Sequence, residues 1–218
     1  APNDEVLGFD KSSASVKWDP KNKIQKTEEI TITSNGLRNP DTTIDFKIPD
    51  GVTLVLADGT RKTGSISLKN GDKFHLEAKA NAASGTYNTG NVGKAWKYQA
   101  LIVTFPREDG HSTQDVGKLR KYTDPTAKTS LSVKWLDFGS VELKKINEKS
   151  EFIDGAKFVL KSFDAATGYD GDGIEYTVKN GKLLIDPVPV GTYTLTEVES
   201  PDHHAGTVPS FQVVVNKD

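Results

Sequence analysis

The sequence predicts an all-β protein built from two tandem Ig-like antiparallel β-sandwiches. The first observation is a repeated alternation of apolar and polar residues over runs of about four to eight residues, which is typical of strands with one buried face. The second is the placement of Gly, Asn, Asp and Pro between those runs, as β-hairpins require. The third is that no stretch shows the periodicity of an amphipathic helix. Together these patterns favour stacked sheets over a helical or α/β architecture.

The alternating runs before residue 136 are each predicted to form a strand. They cover residues 29–33, 43–48, 52–56, 65–68, 73–76, 98–105 and 131–135. Turn signals separate them, with Pro-Asp-Gly at 49–51, Asp-Gly at 58–59 and Asn-Gly-Asp at 70–72. Two polar stretches, 81–93 and 107–126, are predicted to be long loops, and long loops often carry binding residues.

The composition excludes several functional classes. The chain has 218 residues, with 28 basic and 30 acidic side chains and a formal net charge of −2. Because the charges are scattered and no basic stripe interleaves with aromatics, nucleic-acid binding is not expected. Cysteine is absent, which excludes disulfides, thiolate metal sites and cysteine nucleophiles. No apolar run approaches the roughly 20 residues that span a bilayer, so membrane insertion is not expected.

Neither a metal nor a cofactor is expected. The Asp-Gly-Asp-Gly stretch at 170–173 lacks the further oxygen ligands that a calcium-binding loop supplies at fixed spacing. An exposed turn is the favoured interpretation of this stretch.

A boundary between two domains is predicted near residues 137–139. The strand predicted at 131–135 ends at Trp135, and a fresh alternating strand begins at Ser140. We therefore assign residues 1–138 to the first β-sandwich and residues 139–218 to the second. So short a connection predicts two domains stacked end to end with limited freedom.

Four motifs in order give the second domain a family resemblance. Residues 139–147 read Gly-Ser-Val-Glu-Leu-Lys-Lys-Ile-Asn, and residues 155–160 read Gly-Ala-Lys-Phe-Val-Leu. Residues 191–201 read Gly-Thr-Tyr-Thr-Leu-Thr-Glu-Val-Glu-Ser-Pro, and residues 214–217 read Val-Val-Asn-Lys. The domain resembles the collagen-adhesin B-type (CnaB) domains of Gram-positive surface adhesins and pilins. It departs from their usual pattern at Asn147, Ser200 and His203.

The resemblance implies a self-formed isopeptide bond. Lys145 would attack the side-chain carboxamide of Asn216 with the assistance of Glu197, and ammonia would leave. Burial lowers the pKa of a lysine and raises the pKa of a glutamate, so an apolar core suits both roles. Strand alternation predicts core-facing positions for Lys145, for Glu197, and for Asn216 together with Val214. The alternative is that Lys145 extends to solvent at a strand end, Glu197 lies at the rim and Asn216 belongs to a fraying terminus.

The first domain is loosely similar to the Ig-like domains that precede CnaB modules in such proteins. Its Trp-Asp-Pro-Lys-Asn stretch at 18–22 is similar to the pilin motif Tyr-Pro-Lys-Asn, whose lysine is the site joined by sortase. A Pro-containing turn between two strands is the favoured interpretation. A second isopeptide bond is left open for this domain, with Lys17 and Asp45 as candidates.

The resemblance implies an extracellular piece of an adhesin or pilin subunit that is attached to the bacterial cell wall. We expect a monomeric structural or adhesive module, and not an enzyme beyond the single turnover that forms its own bond. The expected partners are a host or matrix ligand or neighbouring pilus subunits. The alternative is an accessory glycan-binding pair of β-sandwiches from a secreted carbohydrate-active protein, which solvent-exposed Tyr87, Trp96 or Tyr98 would favour.

Overall fold

The computed structural model describes residues 4–106, 113–123, 127–144, 154–162, 174–200 and 210–218. Within these ranges the chain is all-β, as the alternation predicts, and forms twenty strands and no helix. Accordingly, no helix of the described chain has the length and apolar character needed to cross a membrane.

The first sandwich contains strands β1 to β14. They are β1 (Glu5–Phe9), β2 (Ser13–Ala14), β3 (Val16–Asp19), β4 (Ile24–Thr27), β5 (Ile30–Asn35), β6 (Thr43–Lys47), β7 (Val52–Leu56), β8 (Arg61–Lys62), β9 (Ser65–Lys69), β10 (Lys73–Lys79), β11 (Thr86–Asn88), β12 (Lys94–Pro106), β13 (Thr113–Thr123) and β14 (Ser132–Lys134). The largest sheet has the order β13-β12-β1-β5-β10-β4-β3, with β7 paired to β10 and β8 paired to β7. A three-stranded sheet, β11-β14-β2, and the pair β6–β9 complete the domain.

The alternation of β6 and β9 shows why these residues form strands. Ile44 lies opposite Leu68 in the antiparallel register, and Phe46 lies opposite Ile66. All four side chains are buried, whereas their neighbours along each strand are exposed or half-buried. The Phe46 ring meets the ring of Phe9 on β1 edge-on, with centroids 6.2 Å apart. The apolar face read from the sequence is therefore the face that closes the core between the layers.

The stretch 107–126, predicted to be a loop, contains strand β13, so that prediction is wrong. β13 pairs with β12 in a continuous antiparallel register that runs from Trp96 opposite Thr123 to Pro106 opposite Thr113. The segment is polar and has a glycine at its centre, so its composition does not indicate a strand. Strand formation here depends on the partner strand rather than on intrinsic preference.

The stretch 18–22 runs from the end of β3 into a turn between two strands, which is the interpretation that the sequence favoured. The turn, residues 20–23, joins β3 to β4, and the two strands pair with each other. The Asp19 carboxylate accepts hydrogen bonds from the backbone N–H groups of Lys21 and Asn22 at 3.1 and 3.2 Å. Lys23 completes the turn in the left-handed region, with φ of 54°.

The second sandwich contains strands β15 to β20. They are β15 (Phe138–Lys144), β16 (Lys157–Ser162), β17 (Glu175–Thr177), β18 (Lys182–Pro189), β19 (Gly191–Glu199) and β20 (Ser210–Val215). One sheet is the pair β15–β18, and the other has the order β17-β16-β19-β20. Their shared core contains Val141, Phe158, Leu160, Tyr193 and Leu195.

Candidate crosslink site

Glu197 lies on the core-facing side of β19. Tyr193 and Leu195, which precede it on the same face, are both 0% exposed. Glu197 is half-buried and lies opposite Phe158 of β16 in the antiparallel register. Its strand face agrees with the sequence prediction.

Lys145 lies outside the described residues. The strand that leads to it, β15, ends at Lys144 and shows the predicted alternation, with Val141 buried and Glu142 exposed. On the exposed face the Lys182 ammonium lies 2.8 Å from the Glu142 carboxylate. The hydrogen bond from Lys182, with a smaller one from Lys144, lowers the pKa of Glu142. The outward face of β15 is thus a solvated, charge-paired surface.

The last strand departs from the prediction. Val215 is 1% exposed and Val214 is 65% exposed, while Asn216 follows the end of β20 and is exposed. The expectation that Val214 and Asn216 take core-facing positions is therefore wrong. Directly opposed residues of an antiparallel pair share a face, and Val213 lies opposite the buried Tyr193. The neighbouring strand thus sets the phase of β20, which three consecutive valines leave ambiguous.

Asn216 lies at the opposite end of the β19–β20 ladder from Glu197. Gly191 pairs with Val215, and Glu197 is about six residues further along β19, which corresponds to roughly 20 Å of extended strand. The described structure therefore does not bring Glu197 and Asn216 together.

The backbone of Asn216 instead passes directly over Gly139 at the start of β15. A Cβ atom on Gly139 would lie 2.0 Å from the Asn216 carbonyl oxygen, so this approach requires glycine. The Asp218 N–H donates to the Phe138 carbonyl at 3.2 Å, and the Lys217 ammonium lies 3.4 Å from Asp137. Sequence reasoning missed this role of Gly139. A glycine inside a strand is the available signal, since it often marks a close backbone approach.

The candidates for a bond in the first domain are not brought together. Lys17 is exposed on β3, and Asp45 is exposed on β6, which belongs to a different sheet. Hydrogen bonds from the side chains of Ser67 and Thr43 lower the pKa of Asp45. Both residues therefore lie on solvated surface.

The three aromatic residues that would favour glycan binding are all partly buried. The Tyr87 hydroxyl donates to a backbone carbonyl at 2.7 Å. The Tyr98 hydroxyl donates to Glu5 at 2.6 Å, and the guanidinium of Arg38 lies 4.9 Å from the centre of the Tyr98 ring. Tyr87, Trp96 and Tyr98 therefore do not form the open platform that the alternative requires.

Metal ligation finds no support in the part of the chain that the structure describes, where no group of three or more His, Asp or Glu side chains is placed to hold an ion. The Asp-Gly-Asp-Gly stretch at 170–173 lies outside the described residues.

Comparison with known proteins finds family matches on both parts of the chain. Residues 139–218 match the prealbumin-like fold domain SpaA, and residues 8–95 match the TED associated beta sandwich domain. The match to the prealbumin-like fold domain covers the same residues, 139–218, as the four sequence motifs. No curated protein matches the chain.

Similar solved structures include one Bacillus protein and two pilus backbone proteins. The Bacillus anthracis TIE protein is 17% identical with a TM-score of 0.39, and the match covers 98% of this chain and 38% of that protein. The T6 backbone pilin of Streptococcus pyogenes is 14% identical with a TM-score of 0.36, covering 97% and 52%. The pilus 2b backbone protein of group B streptococcus is 15% identical with a TM-score of 0.31, covering 96% and 88%. The chain thus spans about half or less of the first two proteins.

Proposed function

We propose that this chain is a structural module of a Gram-positive adhesin or pilus protein, displayed outside the cell and attached to the cell wall. The observation that carries the proposal is the match of residues 139–218 to the prealbumin-like SpaA domain. This part of the chain follows the first β-sandwich directly, with only residues 135–137 between strands β14 and β15. We assign residues 1–138 and 139–218 as its two domains. The partners would be neighbouring pilus subunits or a host or matrix ligand.

The state of the buried acids supports a structural role over a hydrolytic one. Glycoside hydrolysis needs two carboxyl groups facing each other across a cleft. The buried acids of the described chain are Glu5 and Glu77, and each is engaged by neighbours. Glu77 lies 2.8 Å from both Arg61 and His75, and Glu5 accepts from the Tyr98 hydroxyl. These contacts occupy both carboxylates within the fold.

The finer proposal is an isopeptide bond between Lys145 and Asn216. The neutral Lys145 amine would attack Cγ of Asn216, and the Cγ–Nδ2 bond would break while the new C–N bond forms. Glu197 would carry the proton from the attacking nitrogen to the departing one, which leaves as ammonia. Support comes from the four ordered motifs and from the core-facing side of Glu197. The reaction requires Asn216 to leave its place beside Gly139 and approach Glu197.

The bond would close a loop of about 71 residues. Treated as a covalent loop constraint, it would be worth about 4–5 kcal/mol through the lost entropy of the unfolded chain. Under tension it would carry load that otherwise falls on the hydrogen bonds between strands.

Intact-mass measurement on the denatured protein tests the bond. We expect the sequence mass less one molecule of ammonia, and the full sequence mass for Glu197→Ala and Asn216→Ala. Glu199→Ala is the matched control, because Glu199 lies on the same strand but is exposed, 3.3 Å from Lys157; it should keep the loss. A full sequence mass for the unaltered protein refutes the bond and leaves the class of protein untouched.

The class of protein is tested separately by location. An antibody raised against this chain should label intact cells of the source bacterium and detect the protein in the cell-wall fraction. Labelling that appears only after the cells are broken refutes the proposal.

A further inference from the structure

The connection between the two sandwiches is buried and bonded on both sides. Trp135 is 3% exposed and Phe138 is 2% exposed, and Leu136 packs against both hydrophobic cores. The Trp135 N–H donates to the Gly85 carbonyl in the first sandwich at 2.9 Å. The Asp137 carbonyl accepts from Val190 in the second sandwich at 2.9 Å. The connection is therefore part of the packed structure and not a flexible tether.

Trp18 belongs to the first sandwich by sequence and to the second by packing. It lies on β3 and is 6% exposed, and its side chain packs within the second hydrophobic core. Its ring meets the Phe138 ring edge-on, with centroids 4.8 Å apart and an interplanar angle of 63°. Ala80, which follows β10, packs against the same core. The edge of the first domain's sheet thus supplies an aromatic anchor to its neighbour.

Gln25 adds a directional contact beside this anchor. Its side chain is 0% exposed, and its Oε1 accepts from the Leu136 N–H at 3.0 Å. Its Nε2 donates to the Lys79 carbonyl at 3.4 Å. Buried polar groups need hydrogen-bond partners, so a rotation of the sandwiches that moves Leu136 away would leave the Gln25 Oε1 and the Leu136 N–H without theirs. Apolar packing holds the joint closed, and this hydrogen bond selects one orientation.

We infer that Trp18, Gln25, Leu136 and Phe138 form an interdomain lock that makes the two sandwiches one mechanical body. The stretch 18–22 was noted in the sequence for its Pro-Lys-Asn, but its part in the lock comes from its first residue, Trp18, which packs in the second core. A tensile force applied along the chain would have to break the contacts of the lock before it could reorient the domains. The lock does not depend on the Lys145–Asn216 bond, so a result that refutes one of these two proposals does not affect the other.

Trp18→Ala tests the lock, with NMR relaxation and chymotrypsin cleavage at residues 135–138 as readouts. In the unaltered protein, amides of both sandwiches should report one rotational correlation time. The variant should show two shorter times and cleavage at least about tenfold faster, which corresponds to a loss of about 1.4 kcal/mol in closing the joint.

Val16→Ala is the matched control, because Val16 lies on the same strand and is equally buried but packs in the first core. It should lower stability while keeping one correlation time and slow cleavage between the domains. If Trp18→Ala does not fold, Gln25→Ala replaces it as the test variant. We then expect Gln25→Ala to show two correlation times and faster cleavage between the domains. Two correlation times in the unaltered protein, or one common time with slow cleavage in a folded lock variant, would overturn the inference.

Discussion

Replacing Gly139 with alanine places a methyl group where the end of the chain passes. The new Cβ would lie 2.0 Å from the Asn216 carbonyl oxygen and 2.9 Å from Cγ1 of Val215, whereas ordinary contact begins at 3.4 Å. The nearer obstacle is backbone, so no side-chain rotation relieves it, and the terminal segment must move by more than an ångström.

The cost of this change has two parts. Overpacking of a well-packed site costs about 1–3 kcal/mol. Displacing the terminus also loses the hydrogen bond from Asp218 to Phe138, worth about 0.5–1.5 kcal/mol. The total of about 1.5–4.5 kcal/mol should lower the melting temperature of a chain of this size by roughly 3–18 °C.

Thermal unfolding of Gly139→Ala, compared with Gly117→Ala, measures this effect. A Cβ on Gly117 meets nothing within 4 Å, and Gly117 lies within β13, so that variant should match the unaltered protein or exceed its stability by about 0.4–1 kcal/mol. If Gly139→Ala has the same melting temperature as the unaltered protein, the terminus does not lie against Gly139. Asn216 would then be free to lie elsewhere, and the geometric objection to the crosslink would disappear.

Two further predictions concern buried hydrogen bonds. Tyr193→Phe removes the hydroxyl that donates to the Pro189 carbonyl at 2.6 Å, and urea unfolding should show a loss of about 1–2 kcal/mol; an unchanged midpoint and slope would contradict this. Burial raises the pKa of Glu77, but the hydrogen bonds of His75 and Arg61 to its carboxylate lower the pKa by more. The pKa of Glu77 therefore lies below its ordinary value of 4.5. Its stabilising effect is therefore present above about pH 4.5 and lost as the pH falls further through the lowered pKa. Glu77→Gln should flatten this acid limb in unfolding measured against pH, and a limb as steep as in the unaltered protein would refute the assignment.

Strand identity was predictable wherever one face of a strand alternates cleanly. The predicted runs 43–48, 52–56 and 65–68 coincide closely with β6, β7 and β9, because burying alternate side chains is what holds such strands in place. The polar strand β13 was not predictable, since its hydrogen bonds come from β12. The predicted domain boundary placed Phe138 in the first domain, yet its side chain packs in the second core.

The candidate site divides in the same way. The face of Glu197 was predictable, because Tyr193 and Leu195 precede it at alternate positions and both are buried. The face of Asn216 was not, because consecutive valines satisfy either phase and only pairing with β19 decides between them.

The sequence by itself determined the all-β class, and it predicted the division near residue 138 and the resemblance of residues 139–218 to a pilin-like or adhesin-like domain. These follow from local alternation and from motifs that stand in order along the chain. Only the tertiary structure decided that Trp18 packs in the neighbouring domain and that Asn216 lies beside Gly139. The physical reason is that strand register and domain docking are set by contacts between residues far apart in the sequence, and a single strand carries no record of its partner.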